Sequence, residues 1–388
     1  MYNKKRIVFL LPAMRMGGAE KVALPLLKKL MLEYDVTVAL NIKEGELLDQ
    51  LSDNLKVEVD RLWSFVDVVR HDLRHLSVGY LLKDFLYYLN VKTGKNSEQN
   101  YRYLVSRSPW QLGHFDIAIG YVANISTQIF SLSDRVDAVK KIAWIHGETN
   151  DLKNVPLFKS IYRTFDKIYC VSKISRAHFV EKYPACDNNC AVFYNLIDKE
   201  AVLAGAEAQR TVQFDNNSFN ILSVGRLSHE KGFDMVPKIL RILSDRKIHA
   251  KWYLIGDGTG RKGIIESAKA LGVEDRLVML GTLTNPYPYM KACDLYVQPS
   301  YEEGYSTTIC EVGILGKAIV GTTSSGGIYE QVEDGISSVL VAPTPETLAE
   351  AIEDLINNPE KRALLEINVK QGNYCHNEQI APLFWRKT

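Results

Sequence analysis

The sequence contains none of the short motifs that mark several large enzyme classes. It has no His-Glu-x-x-His zinc helix, no Walker loop and no nucleophile elbow. It also has no Asp-x-Asp pair, the usual carboxylate arrangement for holding a diphosphate through a metal ion. We therefore expect no metal or other cofactor, and we expect any diphosphate to be held by cationic side chains and helix ends.

The chain also has little net charge and no long apolar run. Its formal net charge is +1, which gives no electrostatic reason to expect a nucleic-acid partner. No stretch reaches the roughly 18 apolar residues that a bilayer-spanning helix needs. The short apolar run at residues 7–11 follows basic residues as in a secretory signal, but Pro12 ends it and Arg15 follows, so we interpret it as part of a first buried strand. We expect a cytoplasmic protein.

The cysteines show no Cys-x-x-Cys spacing, and several lie inside apolar runs. This pattern favours buried, reduced thiols over a disulfide or metal framework. The six positions are Cys170, Cys186, Cys190, Cys293, Cys310 and Cys375.

A length of 388 residues suggests two domains, and strand-like and helix-like stretches alternate along both halves. The alternation predicts an α/β fold with two doubly wound, Rossmann-like domains. Residues 199–218 have little apolar periodicity, and we interpret them as a junction. The predicted domains are residues 1–205, residues 206–365 and a C-terminal helix, 366–388, that packs back on the first domain.

Residues 61–112 form an aromatic, basic insertion. Between Arg61 and Gln111 there are eight Lys or Arg against four Asp or Glu. One interpretation is a set of ordinary helices that cover the sheet. The other is a surface that contacts anionic membrane or a lipid-linked acceptor, which would place the protein at the inner face of the plasma membrane.

The stretch 298–311 is the most informative part of the chain. It has two carboxylates eight positions apart, Glu303 and Glu311, between an apolar strand and a predicted helix. Glu303 is expected at a tight Gly turn and Glu311 about two turns into the helix. Because a helix start offers free N–H groups and a positive dipole end, this layout predicts a phosphate site.

Two cations follow another predicted strand of the same domain. Arg226 and Lys231 lie five residues apart, at a predicted strand end and helix start. Alone, they are equally typical of a solvated basic turn. Beside the Glu303 and Glu311 stretch, they favour a diphosphate clamp.

Three further segments follow strands of the two predicted sheets. Gly17 and Gly18 permit either a plain turn or close approach of a ligand to the backbone. His146 lies at a strand end, where α/β sheets bind ligands, although a structural histidine is the alternative. Residues 324–330 fit both a simple helix cap and a ligand loop.

One pattern is interpreted as a false match. Gly258, Gly260 and Gly263 fit the Gly-x-Gly-x-x-Gly dinucleotide fingerprint. That fingerprint requires an acidic residue at the end of the next strand, whereas Glu274 and Asp275 precede it.

Taken together, these residues resemble the retaining glycosyltransferases of the GT-B fold, in the large group numbered family 4. The resemblance covers nearly the whole chain and is strongest over residues 220–342. The pair Glu303 and Glu311 in its surroundings is its most specific part. The other matching pieces are residues 16–20, 224–226, 231–232, 255–258, 281, 298–300 and 303–305.

The resemblance implies two Rossmann-like domains that face a cleft, with a nucleotide sugar in the second. Glu311 would bind the ribose hydroxyls, Glu303 would lie against the donor sugar, and Arg226 and Lys231 would hold the diphosphate. His146 would lie near the transferred sugar and is grouped with Glu303, Arg226 and Lys231 as catalytic. The donor would be lined by Gly17, Gly18, Gly225, Gly281, Gly304, Tyr305, Ser306, Thr307, Thr308 and Glu311.

The implied activity is that of a hexosyltransferase acting on a glycan or lipid-linked acceptor in surface polysaccharide synthesis, with UDP as the expected nucleotide. Two departures from the family pattern weaken inference about the donor sugar. Tyr305-Ser306 replaces the usual Phe-Gly, and Val312-Gly313 replaces Ala-Met. The alternatives are a nucleotide-sugar epimerase or phosphorylase of the same fold, and a non-catalytic subunit that binds glycan or protein.

Overall fold

The computed structural model describes residues 4–51, 54–59, 113–123, 128–129, 131–146, 155–208, 212–323, 326–376 and 379, together with Arg74 and Arg107. The insertion at residues 61–112 lies outside these residues apart from the two arginines. Its predicted helices and its predicted membrane contact therefore stay predictions.

The chain divides into two compact units. The first comprises Met1–Val171 and Ser175–Phe193, and the second comprises Ser172–Ile174 and Tyr194–Thr388. Each unit is built on one sheet, and every strand pair in both sheets is parallel. The predicted α/β class with two doubly wound domains is confirmed.

The first sheet has seven strands in the order β3-β2-β1-β4-β5-β6-β7. The residues of β1 after Arg6 are all buried, as expected for a parallel strand covered on both faces. The strands are β1 Arg6–Leu11, β2 Asp35–Leu40, β3 Lys56–Val59, β4 His114–Gly120, β5 Asp137–Ile145, β6 Lys167–Cys170 and β7 Cys190–Val192.

The second sheet has six strands in the order β10-β9-β8-β11-β12-β13, the Rossmann order. Its centre pairs β8 with β11, with Leu295 beside Ile221 and Tyr296 beside Leu222. The strands are β8 Phe219–Val224, β9 Ala250–Ile255, β10 Leu277–Gly281, β11 Leu295–Gln298, β12 Ile319–Thr322 and β13 Val339–Val341.

Helices connect the strands of both sheets. They are α1 Gly18–Glu33, α2 Val155–Tyr162, α3 Lys173–Lys182, α4 Lys199–Glu207, α5 Val236–Asp245, α6 Arg261–Ala270, α7 Tyr287–Ala292, α8 Thr307–Leu315, α9 Pro345–Asn357 and α10 Pro359–Val369. Shorter helical turns lie at Leu48–Gln50, Ser131–Arg135, Pro184–Asn189, His229–Lys231, Phe233–Met235, Glu274–Arg276 and Gly326–Glu330.

Each sheet has its own hydrophobic core. In the second unit, Trp252 and Val297 from the sheet are fully buried with Leu240 of α5 and Ile352 of α9. Five of the six cysteines are buried and all six are free, which confirms the thiol prediction, although Cys375 is only half-buried. No helix in the described part of the chain is long and apolar enough to cross a membrane.

The border between the units differs from the predicted one. Helix α4 lies where a junction was expected, because the Asp198 carboxylate caps it by accepting from the Ala201 N–H at 3.0 Å. The helix belongs to the second unit, where Asn285 Nδ2 donates to Gly205 O at 2.8 Å. The predicted packing of residues 366–388 on the first domain concerns a segment that lies largely outside the described residues.

Candidate functional site

The candidate site lies at the carboxyl ends of β8 and β11. The strand order reverses between these two strands, and this is the topological switch point where open α/β sheets bind ligands. The loop after β8 contains Arg226 and Lys231, and the loop after β11 contains Glu303. The topology thus brings together Lys231 and Glu303, which are 72 positions apart in sequence.

Lys231 and Glu303 form a direct ion pair. Lys231 Nζ donates to Oε1 and Oε2 of Glu303 at 2.9 and 2.8 Å. The side chain of Lys231 is 23% exposed and that of Glu303 is 9% exposed. An ammonium has three donors, so one N–H remains for a ligand oxygen. The lysine charge also offsets the repulsion that a bare carboxylate would exert on a diphosphate.

A buried chain of hydrogen bonds supports the Glu303 carboxylate. Ser300 Oγ donates to Glu303 Oε2 at 3.1 Å, and Gln298 Nε2 donates to Ser300 Oγ at 2.8 Å. Tyr296 OH donates in turn to Gln298 Oε1 at 2.7 Å. Because each polar group is bonded to the next, the carboxylate is held in one orientation.

Helix α8 presents its amide end just after this loop. Ser306 is the N-cap, and its Oγ accepts from the Ile309 N–H at 3.4 Å. The backbone N–H groups of Thr307 and Thr308, the first two helical residues, have no acceptor within the helix. The Thr308 hydroxyl donates to Gln298 Oε1 at 3.2 Å, a bond that does not involve its backbone N–H. The two amides are candidate contacts for an anion.

The N–H of Ser306, a predicted donor-lining residue, is already bonded within the protein. It donates to Gln331 Oε1 at 2.9 Å, and Gln331 Nε2 donates to Ser306 O at 2.6 Å. Gln331 follows the turn Gly326–Glu330 and is 8% exposed. The candidate anion contacts are therefore the amides of Thr307 and Thr308, without that of Ser306.

Tyr305 was predicted to bind the donor, but its side chain is turned into the protein. It is 6% exposed, and its hydroxyl is 2.7 Å from His376 Nε2. The Tyr194 ring stacks on His376 with a centroid distance of 4.5 Å. Burial raises the pKa of Tyr305, so the group is a neutral hydroxyl. Gly304 is also packed, because a Cβ on Gly327 would lie 2.1 Å from the Gly304 carbonyl oxygen.

Glu311 lies about one turn into α8, and not two turns as predicted, because the residues before Thr307 are not helical. Its side chain is 2% exposed, and Oε1 accepts from Tyr287 OH at 3.1 Å. Tyr287 begins α7. The predicted contact of Glu311 with ribose stays a prediction.

Arg226 differs from Lys231 in its surroundings. It is exposed, and its guanidinium makes no hydrogen bond or ion pair with the residues that the structure describes, so the guanidinium can reach a ligand. Lys231 lies in the 3₁₀ turn His229–Lys231, and α5 begins only at Val236. The predicted helix start at Lys231 is therefore wrong, and the amide end at this site belongs to α8.

Glycines allow the surrounding loops to touch. Gly232 has φ +67°, and a Cβ there would lie 1.9 Å from Pro299 O, which joins the loops after β8 and β11. Gly225 donates its N–H to Ile255 O at 2.9 Å. Gly281 ends β10 with φ +70°, and its carbonyl accepts from Gly256 N at 2.8 Å. The predicted contacts of Gly225 and Gly281 with a donor stay predictions.

The Gly-x-Gly-x-x-Gly segment has a structural role here. Gly260 N donates to Leu227 O at 2.7 Å, and a Cβ on Gly258 would lie 2.6 Å from the same oxygen. These two glycines therefore hold the backbone next to Arg226. This agrees with the interpretation of the segment as a false dinucleotide match.

In the first unit, Gly17 and Gly18 lie where β1 leads into α1, at the corresponding switch point between β1 and β4. A Cβ on Gly17 would lie 2.2 Å from Glu20 Oε2, so only glycine lets this carboxylate fold over the helix start. A negative group thus lies where the resemblance implied a donor phosphate. The donor-lining role of the two glycines stays a prediction. The Glu20 carboxylate would repel a phosphate at this position.

His146 directly follows β5, as predicted, and contacts Tyr121 after β4. The two ring centroids are 4.4 Å apart, with the planes inclined at 59°. Burial lowers the pKa of His146 to about 3, so the imidazole is neutral near pH 7. A ring with that pKa is a poor general base and is better suited to hydrogen bonding. The following residues, 147–154, lie outside the described part.

The second unit contains eleven of the fourteen predicted site residues. They are Gly225, Arg226, Lys231, Gly281, Glu303, Gly304, Tyr305, Ser306, Thr307, Thr308 and Glu311. The predicted Gly17, Gly18 and His146 lie in the first unit. Sequence reasoning missed Tyr287, Gln331 and His376, whose partners are 24, 25 and 71 positions away. Only Gln331 was near a segment that had been singled out, residues 324–330, of which 324 and 325 are not described.

Comparison with known proteins agrees with this geometry. Residues 206–372 match the family model described as glycosyl transferases group 1. A Campylobacter jejuni protein, N-acetylgalactosamine-N,N'-diacetylbacillosaminyl-diphospho-undecaprenol 4-alpha-N-acetylgalactosaminyltransferase, is 28% identical over 200 residues, 52% of this chain and 53% of its own length. The O-antigen biosynthesis glycosyltransferase WclY of Escherichia coli is 27% identical over 210 residues, 53% of this chain and 57% of its own length. The chain therefore spans little more than half the length of these two relatives.

Solved structures show a similar fold over the whole chain. The Anabaena protein HepE, in complex with UDP and glucose, has a TM-score of 0.72 at 20% identity and covers 97% of this chain and 98% of its own. The glycosyltransferase WaaG, involved in lipopolysaccharide biosynthesis, has a TM-score of 0.60 at 14% identity, with 94% of each chain covered. The chain thus has the GT-B fold of two Rossmann-like domains, and its residues 206–372 are similar to the glycosyl transferases group 1 family.

Proposed function

We propose that this protein is a retaining hexosyltransferase of family 4 that moves a sugar from a nucleotide-diphosphate sugar to a hydroxyl group of an acceptor. The proposed donor is a UDP-sugar, and the proposed acceptor is a glycan or lipid-linked saccharide in surface polysaccharide synthesis. The observation that carries the proposal is the Lys231–Glu303 ion pair at the switch point of a Rossmann sheet, next to the amide end of α8.

The charges of the site suit a diphosphate donor. The exposed guanidinium of Arg226, the remaining N–H of Lys231 and the amides of Thr307 and Thr308 would contact the phosphate oxygens. The two carboxylates suit sugar hydroxyl groups, because carboxylate oxygens accept hydrogen bonds from hydroxyls. Glu303 would face the donor sugar and Glu311 the ribose.

In the reaction, the bond between the sugar C1 and the leaving phosphate oxygen breaks, and its electron pair stays on that oxygen. The acceptor oxygen forms the new bond to C1 on the same face and gives its proton to the leaving phosphate oxygen. Arg226, Lys231 and the α8 amides stabilise the charge that grows on the diphosphate. A protein base is not required, which accords with the low pKa, about 3, of His146.

The proposed mechanism uses no metal ion. Both carboxylates of the site already accept hydrogen bonds from within the protein, Glu303 from Lys231 and Glu311 from Tyr287. The groups proposed to contact phosphate are cations and amides, which bind it directly.

Relatives support the substrate classes. The Campylobacter protein is named for a diphospho-undecaprenol-linked saccharide, and WclY for O-antigen biosynthesis. HepE has been crystallised with UDP and with UDP-glucose. We extend these classes to this chain as a lipid-linked or glycan acceptor and a UDP-sugar donor. Contact with the inner face of the membrane through residues 61–112 is proposed as part of the same function.

The test begins with a thermal-shift screen of nucleoside diphosphates and their sugars, because a ligand that binds the folded state raises the apparent stability. The best donor is then incubated with lipid-linked and free glycan acceptors, and NMR of the product reports the anomeric configuration. Transfer with retention is expected. Inversion would refute the retaining mechanism, and epimerisation or hydrolysis that needs no acceptor would refute the transferase assignment.

A further inference from the structure

Residues 303–308, which we name the donor loop, are held from behind by two side chains that come later in the chain. We propose that Gln331 and His376 are positioning residues that fix the donor loop so that the amides of Thr307 and Thr308 face the diphosphate. This inference rests on the proposed function. It adds two residues that would act on the donor without touching it.

Gln331 forms hydrogen bonds with both the backbone N–H and the backbone carbonyl of Ser306. Its Oε1 accepts from Ser306 N at 2.9 Å, and its Nε2 donates to Ser306 O at 2.6 Å and to Cys310 Sγ at 3.0 Å. A side-chain amide bonded to the N–H and the carbonyl of one residue restricts rotation of both adjoining peptide groups. Ser306 has φ −82° and ψ 114°, and the next residue begins the helix, so these angles set the direction of the first free amides.

His376 forms a hydrogen bond with the side chain of Tyr305, the residue before Ser306. Its Nε2 is 2.7 Å from Tyr305 OH, and its ring stacks on Tyr194 at 4.5 Å. His376 has φ +46°, a conformation that non-glycine residues adopt only when the surroundings impose it. Its carbonyl accepts from Gln379 N at 3.2 Å and from Gln379 Nε2 at 3.3 Å. A backbone that is strained and bonded on several sides makes a firm support for Tyr305.

The two contacts act on consecutive residues of the donor loop from separate parts of the sequence. Both are hydrogen bonds, which depend on direction, so they define the loop geometry more closely than apolar packing would. If they only stabilised the fold, removing them would weaken all ligand contacts alike or none. If they orient the amides, their loss would weaken binding of phosphate far more than binding of the nucleoside.

The experiment compares a nucleoside diphosphate with its nucleoside by calorimetry on the full chain. UDP and uridine are used first, and GDP, ADP and their nucleosides follow if UDP does not bind. Gln331→Met keeps the side-chain length and removes both bonds to Ser306. Tyr305→Phe removes only the hydroxyl that meets His376, and it keeps the test usable if Gln331→Met does not fold. His376→Phe retains an aromatic ring beside Tyr194.

We expect Gln331→Met to weaken diphosphate binding roughly tenfold or more and nucleoside binding by less than about twofold, because two hydrogen bonds that set the loop are lost. Tyr305→Phe and His376→Phe should each weaken diphosphate binding a few-fold, and the double variant should be no worse than the single ones, since both remove one bond. In turnover, the donor KM should rise for each variant.

Asn368→Leu is the matched control. Asn368 Nδ2 also donates to a backbone carbonyl, that of Ile336 at 2.9 Å, but it makes no hydrogen bond with the donor loop among the described residues. It should leave both affinities unchanged. Equal losses for diphosphate and nucleoside, or no loss, in a folded Gln331 or Tyr305 variant would overturn the inference alone. A wild-type chain that binds no nucleoside diphosphate would overturn the proposed function as well.

Discussion

Removing either partner of the Lys231–Glu303 pair should have unequal effects on stability. In Lys231→Met the Glu303 carboxylate, 9% exposed, loses its cation and keeps only neutral donors such as Ser300 Oγ. Breaking a fully buried pair typically costs 3–5 kcal/mol, and since Lys231 is 23% exposed we expect about 2–3 kcal/mol. In Glu303→Gln the remaining ammonium can turn toward water, and we expect about 1 kcal/mol.

The double variant completes the argument. With neither charge present, no unpaired carboxylate is buried, so Lys231→Met/Glu303→Gln should be more stable than Lys231→Met alone. The catalytic effects should not follow this order. Each single variant should lower kcat by about a hundredfold or more, because the lysine variant would lose the proposed phosphate contact and the glutamate variant the proposed sugar contact.

Urea unfolding measures the free energy of unfolding of each variant. The transition to follow is the one whose midpoint moves to higher urea concentration when a nucleoside diphosphate is bound. Arg241→Met serves as the control, since its ion pair with Asp245 is on the surface, with side chains 47% and 55% exposed, and should change stability by less than about 1 kcal/mol. If Lys231→Met proved no less stable than Glu303→Gln, or if the double variant were the least stable of the three, the buried-carboxylate reasoning would be refuted.

Three further predictions concern the loops, His146 and metals. Gly232→Ala should destabilise the chain by at least about 1 kcal/mol more than Gly272→Ala. Both glycines have positive φ, but of the two only a Cβ at Gly232 would meet a backbone atom, Pro299 O. Equal losses of stability in urea unfolding would contradict this reasoning. His146 has a folded pKa of about 3, below its ordinary 6.5, so it favours unfolding as the pH falls from about 6.5 toward 3, and His146→Gln should reduce this acid sensitivity; an unchanged pH profile of stability would argue against the buried neutral ring. EDTA should leave the transfer rate unchanged, and a large loss restored by a divalent cation would contradict the metal-free site.

Sequence patterning was sufficient for most of the fold. Central strands such as β1 and β11 are mostly apolar runs, and such runs are visible without any knowledge of contacts. Helix α4 was missed because only Val202 is buried in it, so it lacks the apolar stripe that marks an amphipathic helix. The turn at His229–Lys231 is not distinguishable from a helix start by sequence, because cations and a glycine after a strand fit a helix start and a 3₁₀ turn equally well.

The site was predictable to the extent that local motifs define it. Glu303, Glu311 and Lys231 were found because their residue types and positions after strands indicate phosphate and hydroxyl chemistry. Their partners were not, because Tyr287, Gln331 and His376 have no local feature that distinguishes them from surface polar residues. Their contacts exist only once distant segments are folded together, and the same holds for the bond that occupies the Ser306 N–H.

Gly258 and Gly260 enclose the carbonyl of Leu227, next to the arginine proposed to contact the donor. In a saturation mutagenesis library selected for activity, these two glycines should tolerate as little variation as the charged residues of the site. Gly263, where an added Cβ would meet no atom of the described residues within 4 Å, should tolerate alanine. The three glycines of one apparent fingerprint would then separate into two constrained positions and one free position, a pattern set by backbone packing and independent of any dinucleotide.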